Sequence, residues 1–205
     1  MSTQPPPPDP RVARTRALLA GALTDLLDER PFARITVTDI AARAGVHRAT
    51  FYDHFTDKHA MVLDLFAERF AQLLRRHVPD VPDVPDGDAG GDAVLRGLLL
   101  AVAEHRAAAQ GPCSRTHRLF AAPVEQEARA QLRAAVRTWL AERAASSRAR
   151  AQLDLVASLT SWSLYGAAVD WDAGGGRAAH RQTPEVLAAR TVPAIAASVR
   201  ALLRS

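Results

Sequence analysis

ITVTDIAARAGVHRATFYDHFTDKHAMVLDLF, residues 35–66, reads as two short helices around a glycine turn, an aromatic cluster, and the start of a long amphipathic helix. Thr36 and Asp39 have the spacing of a capping box, with aspartate in place of the usual glutamate. Val37, Ile40, Ala41 and Ala44 recur at helical spacing, and Gly45 supplies a position that needs positive φ. Val46 plugs the angle between the helices. His47, Arg48 and Thr50 begin a second helix whose outer face is polar, while Phe51 and Phe55 are expected to lock it to its neighbours. This is the layout of a helix-turn-helix, whose second helix enters the DNA major groove.

Groove readers must stand exposed at the start of that second helix, and His47, Arg48 and Ala49 hold the place. Arg48 can offer two donors to O6 and N7 of a guanine, a contact worth about 1–3 kcal/mol of discrimination. Ala49 is small enough to admit close backbone approach or to touch a thymine methyl. Histidine caps helices poorly, so His47 is expected to touch DNA instead, with pH-dependent strength. Asp53 reads as a solvated surface aspartate; pairing with an arginine and accepting from a cytosine amine are the alternatives.

VTDIAARA followed by GVHRATFYDHFTDK resembles the DNA-binding domain of the tetracycline-repressor (TetR) family of bacterial transcriptional regulators, over about residues 11–66. Beyond them the resemblance is one of architecture only. It implies that Thr50, Tyr52, His54 and Lys58 hold phosphates, and that Thr36 and Thr38 meet the DNA backbone from the preceding helix. Lys58 also stands out within the chain, because it is the single lysine among 26 basic residues. One lysine at a helix start, where every other basic residue is arginine, suggests a need for a compact ammonium, such as a phosphate shared with the helix N-terminus.

Working outward, MSTQPPPPDP is an extended or disordered arm. Asp9 and Pro10 start a helix with Ala17, Leu18, Ala22, Leu26 and Leu27 facing inward, and Pro31 ends it. Asp57 caps a helix over 58–77 with Met61, Val62, Leu65, Phe66, Phe70 and Leu73 on its inner side. PDVPDVPDGDAGGD reads as a low-complexity linker of Val-Pro-Asp units. Its Asp86, Asp88 and Asp92 lack the closing glutamate of a calcium loop, and Gly97 occupies that place. Helices are then expected over 93–110, 114–121, 125–143, 148–170 and 184–204, the last kinked at Pro193. No strand pattern occurs, so the chain is expected to be all-α: an arm (1–9), a helix-turn-helix domain (10–56) and a helical effector-binding and dimerisation domain (57–205).

The chain of 205 residues carries a formal net charge of +4, which suits a polyanionic partner. A single cysteine, Cys113, precludes an internal disulfide and fits a reducing compartment. The longest uncharged run, 155–169, is too short and too serine-rich to span a membrane. A cytoplasmic protein is therefore expected, and the resemblance implies a bacterial one, nucleoid-associated when bound to DNA.

In the body, Trp139, Trp162, Tyr165, His105, His117 and Cys113 are the candidates to line a small-molecule site. The resemblance implies a small apolar or amphipathic effector held between helices, where bundles in general place ligands. Cys113-x3-His117 has metal-like spacing but no second pair, so no metal and no cofactor is expected. Leu155, Leu159, Trp162, Gly166 and Val169 form one stripe of the uncharged helix, and Val156, Ser163 and Ala167 another. A helix apolar on opposite sides needs covering on both. One side suits the body; the other suits Ile195, Val199 and Leu202 of the last helix and the same pair from a second chain. The resemblance implies a four-helix dimer interface there, hence two reading helices on a palindromic operator in double-stranded DNA. A ligand-released repressor, not an enzyme, is the expected function. The alternatives are a helical small-molecule-binding protein or enzyme without DNA binding, and a regulator of this fold with no ligand.

Overall fold

Asp9 and Pro10 open the first helix of the computed structural model, which describes residues 9–78, 88–108, 114–143, 147–173 and 183–204. All regular structure among these residues is helical: α1 (Pro10–Glu29), α2 (Val37–Ala44), α3 (Arg48–His54), α4 (Lys58–His77), α5 (Asp88–Ala108), α6 (Ser114–Leu119), α7 (Ala121–Arg143), α8 (Ser147–Ala173) and α9 (Pro184–Arg204). A single 3-10 turn, Phe32–Arg34, follows α1. The all-α expectation holds.

Two apolar cores organise the chain. The first joins α1, α2, α3 and the start of α4 through Leu19, Leu23, Leu26, Ile35, Ile40, Phe51, Phe55, Met61 and Val62. Its α1 stripe is Leu19, Ala22, Leu23 and Leu26, one position round from the expected set; Leu18 is 47% exposed and Ala17 is exposed too. Residues 19, 22, 23 and 26 are the ones that return to a single face at three- and four-residue spacing. Phe120 and Val124 enter this same core from the α6–α7 region. Phe120 stands edge-on to Phe32 at 5.3 Å and lies 5.7 Å from His59. The N-terminal head is thus braced by the body as well as hung from α4.

The second core is built on α5, whose Leu95, Leu98, Leu99, Ala101, Val102 and Ala103 are all buried. Such a helix must be covered nearly all round, and α4, α8 and α9 pack against it. Its start lies in the segment expected to be linker. Gly91 lies inside the helix rather than ending it, with the Trp139 ring in ordinary van der Waals reach, 3.5 Å from where a Cβ would stand. Asp88 and Asp92 face Arg200 at 3.5 and 3.6 Å, while Asp86 lies outside the described residues. No group of His, Cys, Asp and Glu able to hold a metal ion occurs among the described residues. None of the described helices is long and apolar enough to cross a membrane.

Candidate nucleic-acid interface

The geometry of α3 is set by the ends of its neighbours. Thr36 caps α2 reciprocally: its backbone N–H donates to Asp39 Oδ2 at 2.8 Å and its hydroxyl accepts from the Asp39 N–H at 3.1 Å. Such a cap contributes about 1 kcal/mol. The Thr36 hydroxyl and backbone bonds, helped by Arg30 at 3.2 Å, hold the Asp39 carboxyl below its ordinary pKa. At the other end Gly45 takes φ 69°. The Val46 N–H donates to Ala41 O and the Gly45 N–H to Ala42 O, the paired bonds of a Schellman stop. That stop turns the chain sharply enough for α3 to start two residues later.

On α3, Phe51 is fully buried and Phe55 is 5% exposed. They anchor one face and so force the other outward. His47, Arg48, Ala49, Tyr52 and Asp53 are exposed; Thr50 and His54 are half-buried. His47 is the N-cap residue and makes no side-chain capping bond. Thr38 is exposed on α2, and the Thr36 hydroxyl also donates to Asp39 Oδ2 at 2.7 Å. Asp53 has no ion pair among the described residues, in line with a solvated aspartate. The Arg48 guanidinium donates to the Tyr52 hydroxyl at 3.0 Å and lies 5.4 Å from the centre of its ring. That pairing was open to sequence reasoning, since the two residues are four apart on an exposed helical face, but it was missed.

Lys58 departs from expectation. Its ammonium donates to Ile35 O at 2.6 Å and Phe32 O at 3.0 Å, beneath the Phe32 ring at 4.5 Å. Asp57 caps the N-terminus of α4 as expected, accepting from His59 and Ala60 N–H at 2.7 and 2.8 Å. Those bonds, the Ala60 one foremost, draw the Asp57 carboxyl below its ordinary pKa. A compact ammonium that satisfies two carbonyls at the end of the 3-10 turn accounts for a lysine here, with one of its three donors left for another acceptor.

A family model described as "Bacterial regulatory proteins, tetR family" matches residues 18–65, the segment that builds this head. Over these residues the chain is similar to the tetR family. Over 52 residues it is 48% identical to the HTH-type transcriptional regulator EthR of Mycobacterium tuberculosis, a match covering 25% of this chain and 24% of that protein. It is 37% identical over 67 residues to the HTH-type transcriptional regulator YxbF of Bacillus subtilis, covering 32% of this chain and 18% of that one. The chain therefore spans about a quarter or less of the length of these curated relatives. Among solved structures, the dihydroxyacetone kinase operon activator DhaS superposes with a TM-score of 0.51 at 17% identity, covering 91% of this chain and 97% of that one. The fatty acid degradation regulator FadR of Bacillus halodurans gives 0.50 at 12% identity, with 93% and 96% covered. The likeness to these structures extends beyond the head and is one of fold.

The body does not gather the expected ligand residues into one place. His105 is 3% exposed and meets Phe70 edge-on at 4.9 Å. Trp139 lies over Gly91. Tyr165 is 2% exposed, and burial, then the Glu125 charge, pushes its phenol pKa up. Trp162 is 60% exposed, with Arg129 4.6 Å over its ring, and points out of the body rather than into it. Cys113 and the side chain of His117 lie outside the described residues. A cleft of about 1020 Å³ opens instead between α1 and α4, floored by Ala17, Leu23, Val62 and Phe66 and crossed by the Arg16–Asp64 ion pair. None of His105, Trp139, Trp162 and Tyr165 lines it.

The residues expected at a subunit contact divide differently. Leu155, Leu159 and Ser163 are exposed with Trp162, and Gly166, Ala167, Ile195 and Leu202 are half-buried. Val199 is 4% exposed and belongs to the body core, as does Val156. The side of α8 that faces the body is Val156, Ala157, Thr160, Leu164 and Ala168.

Proposed function

We propose that this chain is a dimeric, ligand-responsive transcriptional regulator that represses by binding a palindromic operator in duplex DNA and is released by a small molecule. The observation that carries the reading is α3: two buried phenylalanines anchor one face while His47, Arg48, Ala49 and Tyr52 stand clear on the other. In this reading Thr36, Thr38, Thr50, His54 and the spare donor of Lys58 contact phosphates around them. The working division is an arm (1–9), a reading head (10–56) and an effector-binding, dimerising body (57–205), acting in the bacterial cytoplasm on the nucleoid.

Dimerisation is supported by α8. Leu155, Leu159 and Trp162 are 58, 46 and 60% exposed along one stripe, beside a notch of about 150 Å³ between α8 and α9 lined by Ile195 and Leu202. Contiguous apolar surface of this kind marks a protein contact. Trp162→Glu is expected to convert a dimer into monomers in sedimentation at micromolar concentration, leaving the helical signal of circular dichroism unchanged. Persistence of the dimer would place the contact elsewhere.

For the effector, the α1–α4 cleft has the size of a small-molecule site. An apolar or amphipathic occupant would change how α1 rests on α4, and with it the separation of the two reading helices. The effector must favour the released arrangement, typically by about 1–3 kcal/mol of coupling. A second reading, a regulator of this fold with no ligand, is favoured by the filled body core, where Leu98, Leu99, Val102, Leu132 and Val136 are all fully buried.

Titration against the DNA upstream of its own coding sequence, at rising salt, tests the function. Several phosphate contacts per dimer predict an affinity loss of about 10³ or more between 50 and 200 mM salt. Absence of duplex binding, or binding indifferent to salt, would refute it.

A further inference from the structure

Tyr52 is placed where the family resemblance implies a phosphate contact, yet its hydroxyl is already engaged: it accepts from Arg48 Nη2 at 3.0 Å. The guanidinium also lies 5.4 Å from the centre of the Tyr52 ring. Tyr52 is in turn fixed, its ring standing edge-to-face on Phe51 at 5.6 Å and 85°. Phe51 is fully buried and packs on Phe55 at 5.7 Å. A continuous series of contacts therefore runs from the core of the head through Phe51 and Tyr52 to an exposed arginine.

Among the described residues the Tyr52 hydroxyl is the only polar partner of Arg48, and no carboxylate reaches it. That distinction matters chemically. A carboxylate would hold the arginine but cancel its charge and occupy a pair of its donors. A phenol accepts one N–H and leaves the cation and four donors free. A long side chain held in one geometry before binding loses less entropy when it docks.

We infer that Tyr52 is a positioning residue for Arg48, orienting the guanidinium for bidentate recognition of a guanine edge, so that it sets base preference more than it anchors the backbone. This rests on the proposal that α3 enters the major groove. The two are separable by selecting preferred sites from a randomised duplex pool with four forms of the full chain: unaltered, Tyr52→Phe, Arg48→Ala and the double variant. Tyr52→Phe keeps the ring and its packing on Phe51, and removes only the hydroxyl.

The expected result is that Arg48→Ala abolishes the preference at one base pair in each half-site. Tyr52→Phe should weaken that preference at the same pair about 3- to 10-fold. It should leave affinity for non-preferred duplex and the slope of affinity with salt unchanged. The double variant should match Arg48→Ala alone. A Tyr52→Phe protein that weakens on every sequence equally, with a shallower salt slope, would show a phosphate contact and overturn the inference. So would one that behaves like the unaltered chain. If the unaltered chain selects a site but Arg48→Ala selects it equally well, the inference falls while DNA binding stands; if it selects no site at all, the functional proposal falls first.

Discussion

Gly97→Ala is expected to lower the unfolding free energy by about 3 kcal/mol, near the upper end of what overpacking costs. At this chain length that is a fall of about 6–12 °C in Tm. A Cβ at Gly97 would sit 2.9 Å from the His77 carbonyl carbon and 3.2 Å from Val78 Cα, both backbone atoms that no rotamer change can move aside. Alanine's better helix propensity, about 1 kcal/mol, offsets only part of the strain. The position is also a junction. The last turn of α4 is held on α5 by His77 to Glu104 at 2.7 Å and Arg76 to Glu104 at 3.0 Å, so a shift there changes the angle at which α4 carries the head. Differential scanning calorimetry measures the effect; an unchanged or higher Tm would mean that the two helices are less closely apposed.

Phe51→Ala is expected to cost about 3–5 kcal/mol, the range for deleting a buried phenyl ring. Phe51 is fully buried in the smaller of the two cores, with Leu19, Leu23, Leu26 and Ile40 around it. A small core has little margin against such a loss. The body core shares none of those residues. Hydrogen exchange should therefore show lost protection in α1, α2 and α3 while α5 and α8 stay protected, and duplex binding should disappear with the head. Equal loss of protection across the whole chain would mean that the two cores unfold as one unit, joined through Phe120 and Val124.

The head was legible in the sequence because its determinants are local. A capping pair three residues apart, a glycine at φ 69° and a phenylalanine pair four apart specify α2, the turn and the buried face of α3 without reference to distant residues. What was not legible depends on residues far apart in the chain. Lys58 binds carbonyls 23 and 26 positions away, so its singularity was visible but its reason was not. Phe120 enters the head from beyond α5, and nothing in its surrounding sequence signals that. Gly91 looked like linker because glycine disfavours helix locally, and the packing of α5 on α4, α8 and α9 overrides that preference. The one-position rotation of the α1 stripe arose because Leu18, Leu19, Leu26 and Leu27 permit two faces, and packing against α2 selects one. The cleft between α1 and α4 is a property of how two surfaces fail to meet, which no helical periodicity encodes.

The claim on which everything functional depends is that α3 reads guanine in the major groove from each half of a symmetric dimer. Guanine N7 methylation interference tests it most directly, because N7 is the atom that Arg48 is proposed to engage and it is exposed only in that groove. The predicted result is one guanine in each half-site whose methylation blocks binding. The pair should be related by two-fold symmetry, about 34–36 Å or a multiple apart, and both effects should vanish in Arg48→Ala. Binding indifferent to N7 methylation, or blocked by it equally in the Arg48→Ala protein, would contradict the claim.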